Sequence, residues 1–475
     1  MQAETKPRQR GASEVLATVS AKYAELMGNV RAALEWSFSP AGDRDVGVAV
    51  AAAAAPCMLE LSLLTECRAW MERAIAALDA NTRGTRREME VQAALALSLM
   101  FTQGNSEESL AALARALDLA AQFKDPSHTL RLFGALHIFL VRAGNFHGAL
   151  HLARRAEVVA RMFPVAAART IAESMLGISY HLSGNQASAL RHCQAALRQT
   201  QVNRYDILGR VGYDHRIRTL AALTRTLWLS GYADQAVEVA GQTLKEAEQL
   251  GQPVSLALAL IYVASVLLWV GDLPATSEVI QRLLALADRQ CLAPYYAVGL
   301  GLRGELALRN GDVTGAIALQ RACLDTLDAD RHRILLAVFI GDLAEGLAMS
   351  GQWVEALAAV DKALALGAVN ELRADDSQSF HTPELLRIRA RILSRHSQAE
   401  TSEVEQCLMR ALEIARRQAA LAWELRAATD LARLRRDAHR HEEARELLAA
   451  VYGRFTEGFG TPDLVASRRL LVELH

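Results

Sequence analysis

A short polar cluster holds the residues of this chain whose types and spacing could do chemistry. Tyr213, Asp214, His215 and Arg216 are consecutive. An Asp-His-Arg triplet contains residue types that carry acid–base catalysis, so an enzyme site is one hypothesis. The other is recognition, because aromatic and arginine side chains are typical anchors of binding sites. We predict a partner- or ligand-binding role for the cluster, with a purely structural role as the open alternative.

Four further aromatic residues could line the same surface, namely Trp228, Trp269, Tyr295 and Tyr296. We include all four as candidate partner- or ligand-binding residues. The tryptophans lie three residues before Gly231 and two before Gly271, where the chain is expected to pack into the core. Core packing is therefore the favoured interpretation of the two tryptophans.

The chain lacks the common motifs of catalysis and cofactor binding. It contains no P-loop, no HExxH zinc motif and no GxSxG nucleophile elbow. His147 and His151 are four residues apart, but no carboxylate or cysteine near them completes a metal-binding pattern. We interpret the pair His439 and His441 in the same way. We predict a protein that is not an enzyme and has no cofactor and no metal site.

A repeat spaces the elements that would position these residues. A glycine recurs seven times along the chain, with successive steps of 40, 40, 47, 40, 40 and 40 residues. A small residue follows each glycine at the fifth position, and a leucine follows at the thirteenth in six of the seven repeats, where Glu157 is the exception. The glycines are Gly104, Gly144, Gly184, Gly231, Gly271, Gly311 and Gly351.

Helical hairpins explain this pattern. One hairpin cannot bury its own apolar face, whereas stacked hairpins build a continuous core. Glycine ends the first helix in the left-handed conformation, the small residue allows the second helix to come close, and the leucine lies just over two turns further on. The predicted fold class is all-α: a right-handed superhelical solenoid of antiparallel helix pairs, tetratricopeptide-like, with repeats of about 40 residues.

Composition excludes several classes of function. The 475 residues include 52 basic and 53 acidic ones, giving a net charge of −1, so no global charge favours nucleic acid or an acidic membrane. The six cysteines are far apart without a CxxC pair, as expected for cytosolic thiols. The N-terminus has no apolar core of a signal peptide. We predict a cytoplasmic protein that binds neither nucleic acid nor membrane.

Two apolar runs approach the length of a membrane span. Residues 46–59 are too short and contain Pro56, whereas residues 254–270 fall just under the usual span. The second run is in register with the repeats, which predict an apolar first helix at this place. A buried solenoid helix is therefore the favoured interpretation.

The domain boundaries follow from the repeats and their interruptions. We predict a disordered tail (1–12), an N-terminal helix and linker (13–44), the solenoid (45–368), a polar break (369–382) and C-terminal repeats with a cap (383–475). The long step places about seven extra residues in 200–216. An insertion in a solenoid goes to a loop, which either binds a partner or is only a longer turn.

Several stretches resemble one protein family. They are NVRAALEW (29–36), DHRIR (214–218), LWLSGYADQA (227–236), LAPYYAVGLGLRGELAL (292–308), PELLRIRARIL (383–393), ALAWELRAATDLARL (420–434) and VYGRFTEGFGTPDL (451–464). Together they are similar to the C-terminal helical-repeat half of bacterial predicted ATPases of the STAND type. There, a winged-helix or nucleotide-cyclase domain precedes a P-loop NTPase and tetratricopeptide-like repeats. The resemblance covers about residues 23–474.

The resemblance implies a sensor and interaction arm that receives an inducer or partner and controls an NTPase switch. The winged helix and the P-loop are missing here, so the expectation is a fragment, a mis-started reading frame or a free-standing remnant. The expected partners are a protein or peptide, or a small-molecule inducer, with self-association as a further expectation. The alternative is a free-standing scaffold that binds a peptide or protein unrelated to transcription.

Overall fold

The computed structural model describes residues 26–162, 166–199, 213–368, 379–395 and 400–474, and these residues contain 22 helices and no strand. The first eleven are α1 (26–37), α2 (Arg44–Glu60), α3 (Leu64–Ala76), α4 (Arg86–Thr102), α5 (Glu107–Gln122), α6 (Pro126–Arg142), α7 (Phe146–Arg161), α8 (Ala166–Leu182), α9 (Gln186–Gln199), α10 (His215–Leu229) and α11 (Ala233–Leu250). The others are α12 (Pro253–Val270), α13 (Leu273–Arg289), α14 (Ala293–Arg309), α15 (Val313–Ala329), α16 (Leu336–Met349), α17 (Trp353–Ala368), α18 (Thr382–Arg395), α19 (Thr401–Arg417), α20 (Leu421–Asp437), α21 (His441–Tyr452) and α22 (Pro462–Glu473).

The repeat glycines separate the helices of each pair, as predicted. All seven adopt a positive φ, between 76° and 92°, which residues with a side chain rarely tolerate. The residue after the glycine often caps the second helix. Asn145 and Asp312 each accept a hydrogen bond from the backbone N–H three residues later, at 2.8 and 2.9 Å. Such caps satisfy a backbone donor that the helix itself leaves without a partner.

The other two repeat positions are buried to different degrees. The small residue five after each glycine is at most 1% exposed, which allows close contact between the paired helices. The leucines thirteen after the glycine are only half-buried. The fully buried position is the one before them, held by residues such as Leu283 and Cys323. The inward face of the second helix is therefore rotated by one residue from the leucine stripe.

The helices form two layers. Each even-numbered helix from α2 to α20 packs against the next even-numbered helix, whereas the odd-numbered helices pack against their chain neighbours. The even-numbered helices thus make the inner wall of the superhelix. The all-α solenoid that the sequence predicts is confirmed.

Successive turns of the superhelix contact each other through their loops. The Asn105 N–H donates to the Asp330 carbonyl at 2.8 Å, and the Phe380 N–H donates to the Leu182 carbonyl at 3.1 Å. A Cβ added to Gly104 would come within 2.3 Å of the Asp330 oxygen, so this turn needs glycine for docking as well as for its φ. The contacts enclose the interior of the superhelix.

Helix α12 is the one described helix that is long and apolar enough to cross a membrane by length and composition. In the structure it is an inner helix that packs against α10, α11, α13 and α14, and 67% of its apolar window is buried. Neighbours on several sides account for its lack of a polar face. This packing supports the interpretation as a core helix.

Several predicted boundaries fall outside the described residues. They include the tail 1–12, residues 200–212 of the insertion and residues 369–378 of the polar break. Beyond that break, α18 packs against α16 and α17, and α20 packs against α18. The repeats after residue 382 therefore continue the same stack.

Candidate functional site: an interior cavity with buried arginines

The Asp-His-Arg triplet does not converge on one point. Asp214 caps α10 by accepting the Ile217 N–H at 2.9 Å. Arg216 forms a two-pronged ion pair with Glu246, at 2.7 and 2.9 Å. The third residue, His215, is buried with its ring 5.0 Å from that of Tyr213. Each side chain of the triplet therefore has its own structural environment.

The two predicted tryptophans belong to a buried aromatic cluster. The ring of Trp228 lies 4.5 Å from Trp269 and 5.1 Å from Trp423, and the rings of Trp269 and Trp423 are 5.6 Å apart. Trp423 is on α20, so the cluster joins two turns of the superhelix. Rings at these separations are typical of stabilising aromatic packing, which supports core packing as their role. Whether they also contact a ligand stays a prediction.

The tyrosines have different environments. Tyr213 and Tyr295 are buried against an interior cavity, whereas Tyr296 is 39% exposed. We call this space the cation cavity. Its volume is about 60 Å³. The polar lining residues are Arg142, His181, Tyr213, Arg218, Ser255, Tyr262, Tyr295 and His332.

Two guanidinium groups face this cavity without a hydrogen bond to a carboxylate in the described part of the chain. The Asp330 carboxyl group is close enough to Arg142 that the arginine's charge opposes the rise in pKa that burial causes. Arg142 donates through Nη1 to the Met100 carbonyl, but its buried Nη2 has no partner. Arg218 lies 3.4 Å through Nη2 from His137 Nδ1, and its buried Nη1 has no partner. The two side chains are 4% and 7% exposed. Both retain an N–H donor that nothing in the structure satisfies.

Arg225 stands behind the cavity wall. Its guanidinium lies over the rings of Phe380, Trp269 and Tyr262, at 4.5, 5.2 and 5.2 Å. Nε and Nη1 are buried without hydrogen-bond partners. Burial lowers the pKa of Arg225 to about 10, so the group stays charged at neutral pH. Cation–π contacts stabilise such a group only in part.

Histidines near the cavity are neutral at pH 7. Burial, with the charge of Arg225 adding to the effect, lowers the pKa of His181 to about 3. Burial likewise holds the pKa of His332 well below its usual range, with Arg142 adding to the effect. His181 Nε2 and His332 Nδ1 are both buried without a partner. These rings offer hydrogen-bonding atoms to the cavity without adding charge.

In a second interior space, the buried arginines form hydrogen bonds to carboxylates. We call it the ion-pair groove, with a volume of about 440 Å³ between α14, α16, α18, α20 and α22. Arg387 donates to both oxygens of Glu384, at 2.8 Å each, and to Asp430 at 2.9 Å. Arg426 donates to Glu384 at 2.9 Å and to Asp463 at 2.8 Å. The buried arginines here are held by carboxylates.

Sequence reasoning missed the three unpaired arginines. Arg218 and Arg225 are seven residues apart in RIRTLAALTRTLWL, two turns along one face of an otherwise largely apolar helix. Arg142 ends the apolar run HIFLVR. A charged residue repeated on the buried face of an inner helix was the available signal. The described residues contain no group of three or more side chains that could hold a metal ion.

Comparisons with known proteins place the fold. No protein-family model and no curated protein matches the chain. The structure is similar to a Rap protein complexed with competence and sporulation factor, with 12% identity and a TM-score of 0.50 over 90% of this chain and 99% of that one. A human IFIT1 dimer matches at 15% identity, with a TM-score of 0.45 over 88% and 90% of the two chains. The Cut9–Hcn1 hetero-tetramer of APC/C matches at 13%, with a TM-score of 0.44 over 81% and 73%. The likeness to the Rap structure supports a tetratricopeptide-like helical repeat fold.

Proposed function

We propose that this chain is a non-catalytic sensor and interaction module whose cation cavity takes a ligand that bridges two turns of the superhelix. The observation that carries the proposal is the origin of the cavity wall. Arg142 and His181 come from α6 and α8, whereas His332 and Leu335 come from the segment before α16. The Arg333 N–H also donates to the Arg142 carbonyl, beside the cavity.

A ligand in this position has a means of acting on a partner. If it binds the closed arrangement of the turns better than an open one, it shifts the population toward the closed arrangement. The loops and outer helices that a protein partner contacts would then change with occupancy. The Rap structure provides a precedent of the same fold in complex with a factor, although the likeness itself concerns the fold alone.

The finer part of the proposal concerns the partner. We infer that the module serves a bacterial ATPase-type transcriptional regulator in the cytoplasm, and this rests on the sequence resemblance described above. The alternative is a free-standing scaffold for a peptide or protein unrelated to transcription. An enzyme is not favoured, because Asp214, His215 and Arg216 have separate structural partners.

The test of ligand binding uses a cavity-filling variant. Leu258→Trp places a larger side chain in the cavity wall, whereas Leu256→Trp makes the same change at a half-buried position of α12 outside that wall. Ligands released from the natively purified protein would be identified by mass spectrometry, and amide hydrogen exchange would be followed at residues 330–335. We expect Leu258→Trp alone to lose the ligand and its protection of this segment. An equal ligand content in both variants would contradict the proposal.

The test of the partner is biochemical. A regulatory ATPase captured by the chain should change its rate of ATP hydrolysis when the chain is added, and Leu258→Trp should abolish the change. A captured protein without nucleotide turnover would favour the free-standing scaffold instead.

A further inference from the structure

Four residues that line the cation cavity have buried polar side-chain atoms without partners. Besides Arg142 Nη2 and Arg218 Nη1, these atoms are His181 Nε2 and His332 Nδ1. Buried polar groups in folded proteins are almost always satisfied. A set of such atoms around one cavity therefore points to a missing group that would satisfy them together.

The charge of the missing group follows from the arginines. Guanidinium stays protonated at neutral pH, and an unpaired buried cation costs far more than a buried neutral group. Arg142 and Arg218 are close enough that the charge of the first lowers the pKa of the second. Two cations that repel each other in an apolar site are stabilised by an anion between them.

The acceptors available inside the protein do not fill this role. Elsewhere in the described chain, buried Arg387 and Arg426 have carboxylates within 2.9 Å. Near the cation cavity, Arg142 and Arg218 lie over aromatic rings and beside neutral histidines, and neither forms a hydrogen bond to a carboxylate in the described chain. The charge of Arg142 acts on the carboxyl group of Asp330, whose pKa burial raises and Arg142 lowers. Arg142 lies 4.9 and 5.0 Å over Phe101 and Tyr295, and Arg218 lies 5.2 Å over Tyr213.

Size and lining define the rest of the ligand. A water needs roughly 10–15 Å³ on this measure of volume, so about 60 Å³ holds a carboxylate with the first few carbon atoms of the group that carries it. The remaining wall is apolar and includes Phe101, Ile138, Ile178, Val254, Ile261 and Val298. Such a wall favours an apolar body next to the charged head.

We propose that the cation cavity binds a carboxylate carried on an apolar body, with Arg142 and Arg218 as the two guanidinium donors. The carboxylate accepts hydrogen bonds from Arg142 Nη2–H and Arg218 Nη1–H. The apolar body lies along α12 and α14. Two sources carry this chemistry, a free organic acid and the C-terminal carboxylate of a peptide. The inference rests on the proposed function, since it names the ligand of the same cavity.

The experiment measures binding to the purified full chain by calorimetry and thermal shift. The free-acid probes are acetate, butyrate, hexanoate, octanoate and phenylacetate, with octanamide as the neutral match. The peptide probe is acetyl-Leu-Leu-Phe with a free C-terminus, and its C-terminal amide is the match. Sodium phosphate and chloride test for binding of any anion. We expect an acid to bind and its amide to bind at least tenfold more weakly.

The variants Arg142→Gln and Arg218→Gln should each weaken binding of the acid by about tenfold to a hundredfold, because each removes a charge-assisted hydrogen bond. Arg391→Gln is the control, since this arginine lies on the ion-pair groove and is 45% exposed. It should leave binding within about twofold of the parent. Helical content by circular dichroism verifies folding, and Arg218→Met provides a second substitution at that position.

Each outcome decides between two hypotheses. Binding of acid and amide alike, unaffected by the arginine variants but lost in Leu258→Trp, overturns the carboxylate inference and leaves the cavity as a ligand site. Equal binding of phosphate or chloride also overturns it. If no probe binds and natively purified Leu258→Trp has the same ligand content as the Leu256→Trp control, the proposed function fails as well. Binding of the peptide acid but not of the short acids supports the inference and identifies the peptide source.

Discussion

The two interior spaces of this solenoid hold buried arginines in opposite ways. In the ion-pair groove, Arg387 is 8% exposed and forms hydrogen bonds to Glu384 and Asp430. In the cation cavity, Arg218 is 7% exposed and its nearest polar contact is a neutral histidine. The same inner wall thus contains a region whose buried arginines are paired with carboxylates and a region whose buried arginines have no carboxylate hydrogen bond among the described residues. The proposed ligand would supply the acceptor in the second region.

The tryptophan cluster separates the two regions. Arg225 lies 5.2 Å over Trp269 on one side, and Arg426 lies 5.1 and 4.8 Å over Trp228 and Trp423 on the other. The charge of Glu305, which lines the groove, reaches Arg225 across this wall and partly offsets the effect of burial on the Arg225 pKa. None of the groove carboxylates forms a hydrogen bond to Arg142 or Arg218 in the described chain.

Acid should affect the two regions at different pH values, and this is the largest effect we expect. Burial lowers the pKa of His181 and of His215 to about 3 each, and that of His381 to about 4. An unfolded histidine has a pKa of about 6.5. Below that value the unfolded chain binds protons that the folded chain does not, so the free energy of unfolding falls as the pH falls.

The expected size is about 2 kcal/mol per buried histidine at pH 5, at about 1.36 kcal/mol for each pH unit. In the groove, the Glu384 carboxylate should stay ionised until a lower pH. Burial alone would raise the pKa of Glu384, but Arg387 and Arg426 together hold it far below its usual range. Urea unfolding between pH 7.5 and 4 would measure the profile. A profile that is flat down to pH 5 would contradict the prediction.

A histidine variant sharpens the assignment of the acid effect. His181→Gln removes one buried group with a lowered pKa. Between pH 6.5 and 5, it should reduce the slope of the free energy of unfolding against pH by the amount that corresponds to about one bound proton. His441→Gln is the matched control, since His441 is exposed on α21. Its slope should equal that of the parent. Equal slopes in all three proteins would show that His181 is not protected from protonation as the structure requires.

Removing one arginine of the ion-pair groove should lower the free energy of unfolding strongly. Among the described residues, Arg387→Met leaves Asp430 with only Arg433 and Glu384 with only Arg426 as ion-pair partners. Removal of one member of a buried ion pair typically costs about 3–5 kcal/mol, because the remaining charge is uncompensated. Arg391→Met is the control: its partial exposure and single pair with Glu345 predict a loss of about 0–1 kcal/mol. Comparable losses in urea unfolding would contradict the distinction.

The fold could be predicted because each repeat position has a local physical reason. A glycine with positive φ, a small residue at a close helix contact and an apolar first helix leave a direct pattern in the sequence. Gly104 and Gly311 show that the turn conformation is set locally, since both have φ near 85°. Only Gly104 also touches another turn of the superhelix, and nothing in the repeat distinguishes the two glycines.

The candidate site could not be predicted in the same way, because pairing is a property of the assembled superhelix. Arg142 and His332 are 190 residues apart, and they share a cavity only because two turns meet there. The sequence shows that Arg218 and Arg387 lie on inner helices. It does not show that only Arg387 has carboxylates opposite it. Tyr213 and Tyr295 were predicted from the sequence as candidate binding residues, and both line the cation cavity. The arginines that line the same cavity were not predicted.

Arg225 allows the smallest and most discriminating change. It is 1% exposed, its Nε and Nη1 have no hydrogen-bond partners, and the charges of Tyr262 and Glu305 only partly offset the lowering of its pKa by burial. Arg225→Met removes the buried charge and keeps an unbranched side chain against Phe380, so the desolvation cost disappears together with the cation–π contacts. Without ligand, we expect the free energy of unfolding to be unchanged or to rise by up to about 2 kcal/mol.

Arg225→Lys is the matched control because it keeps the charge but loses the flat guanidinium that stacks on the rings. If the buried charge destabilises the ligand-free protein, the lysine variant should have a lower free energy of unfolding in urea than the methionine variant. The reverse order would mean that the ring contacts outweigh the cost of desolvation. The protein itself would then stabilise the buried charge near the cation cavity, as it does in the ion-pair groove. In that case the contrast between the two regions would no longer argue for a ligand.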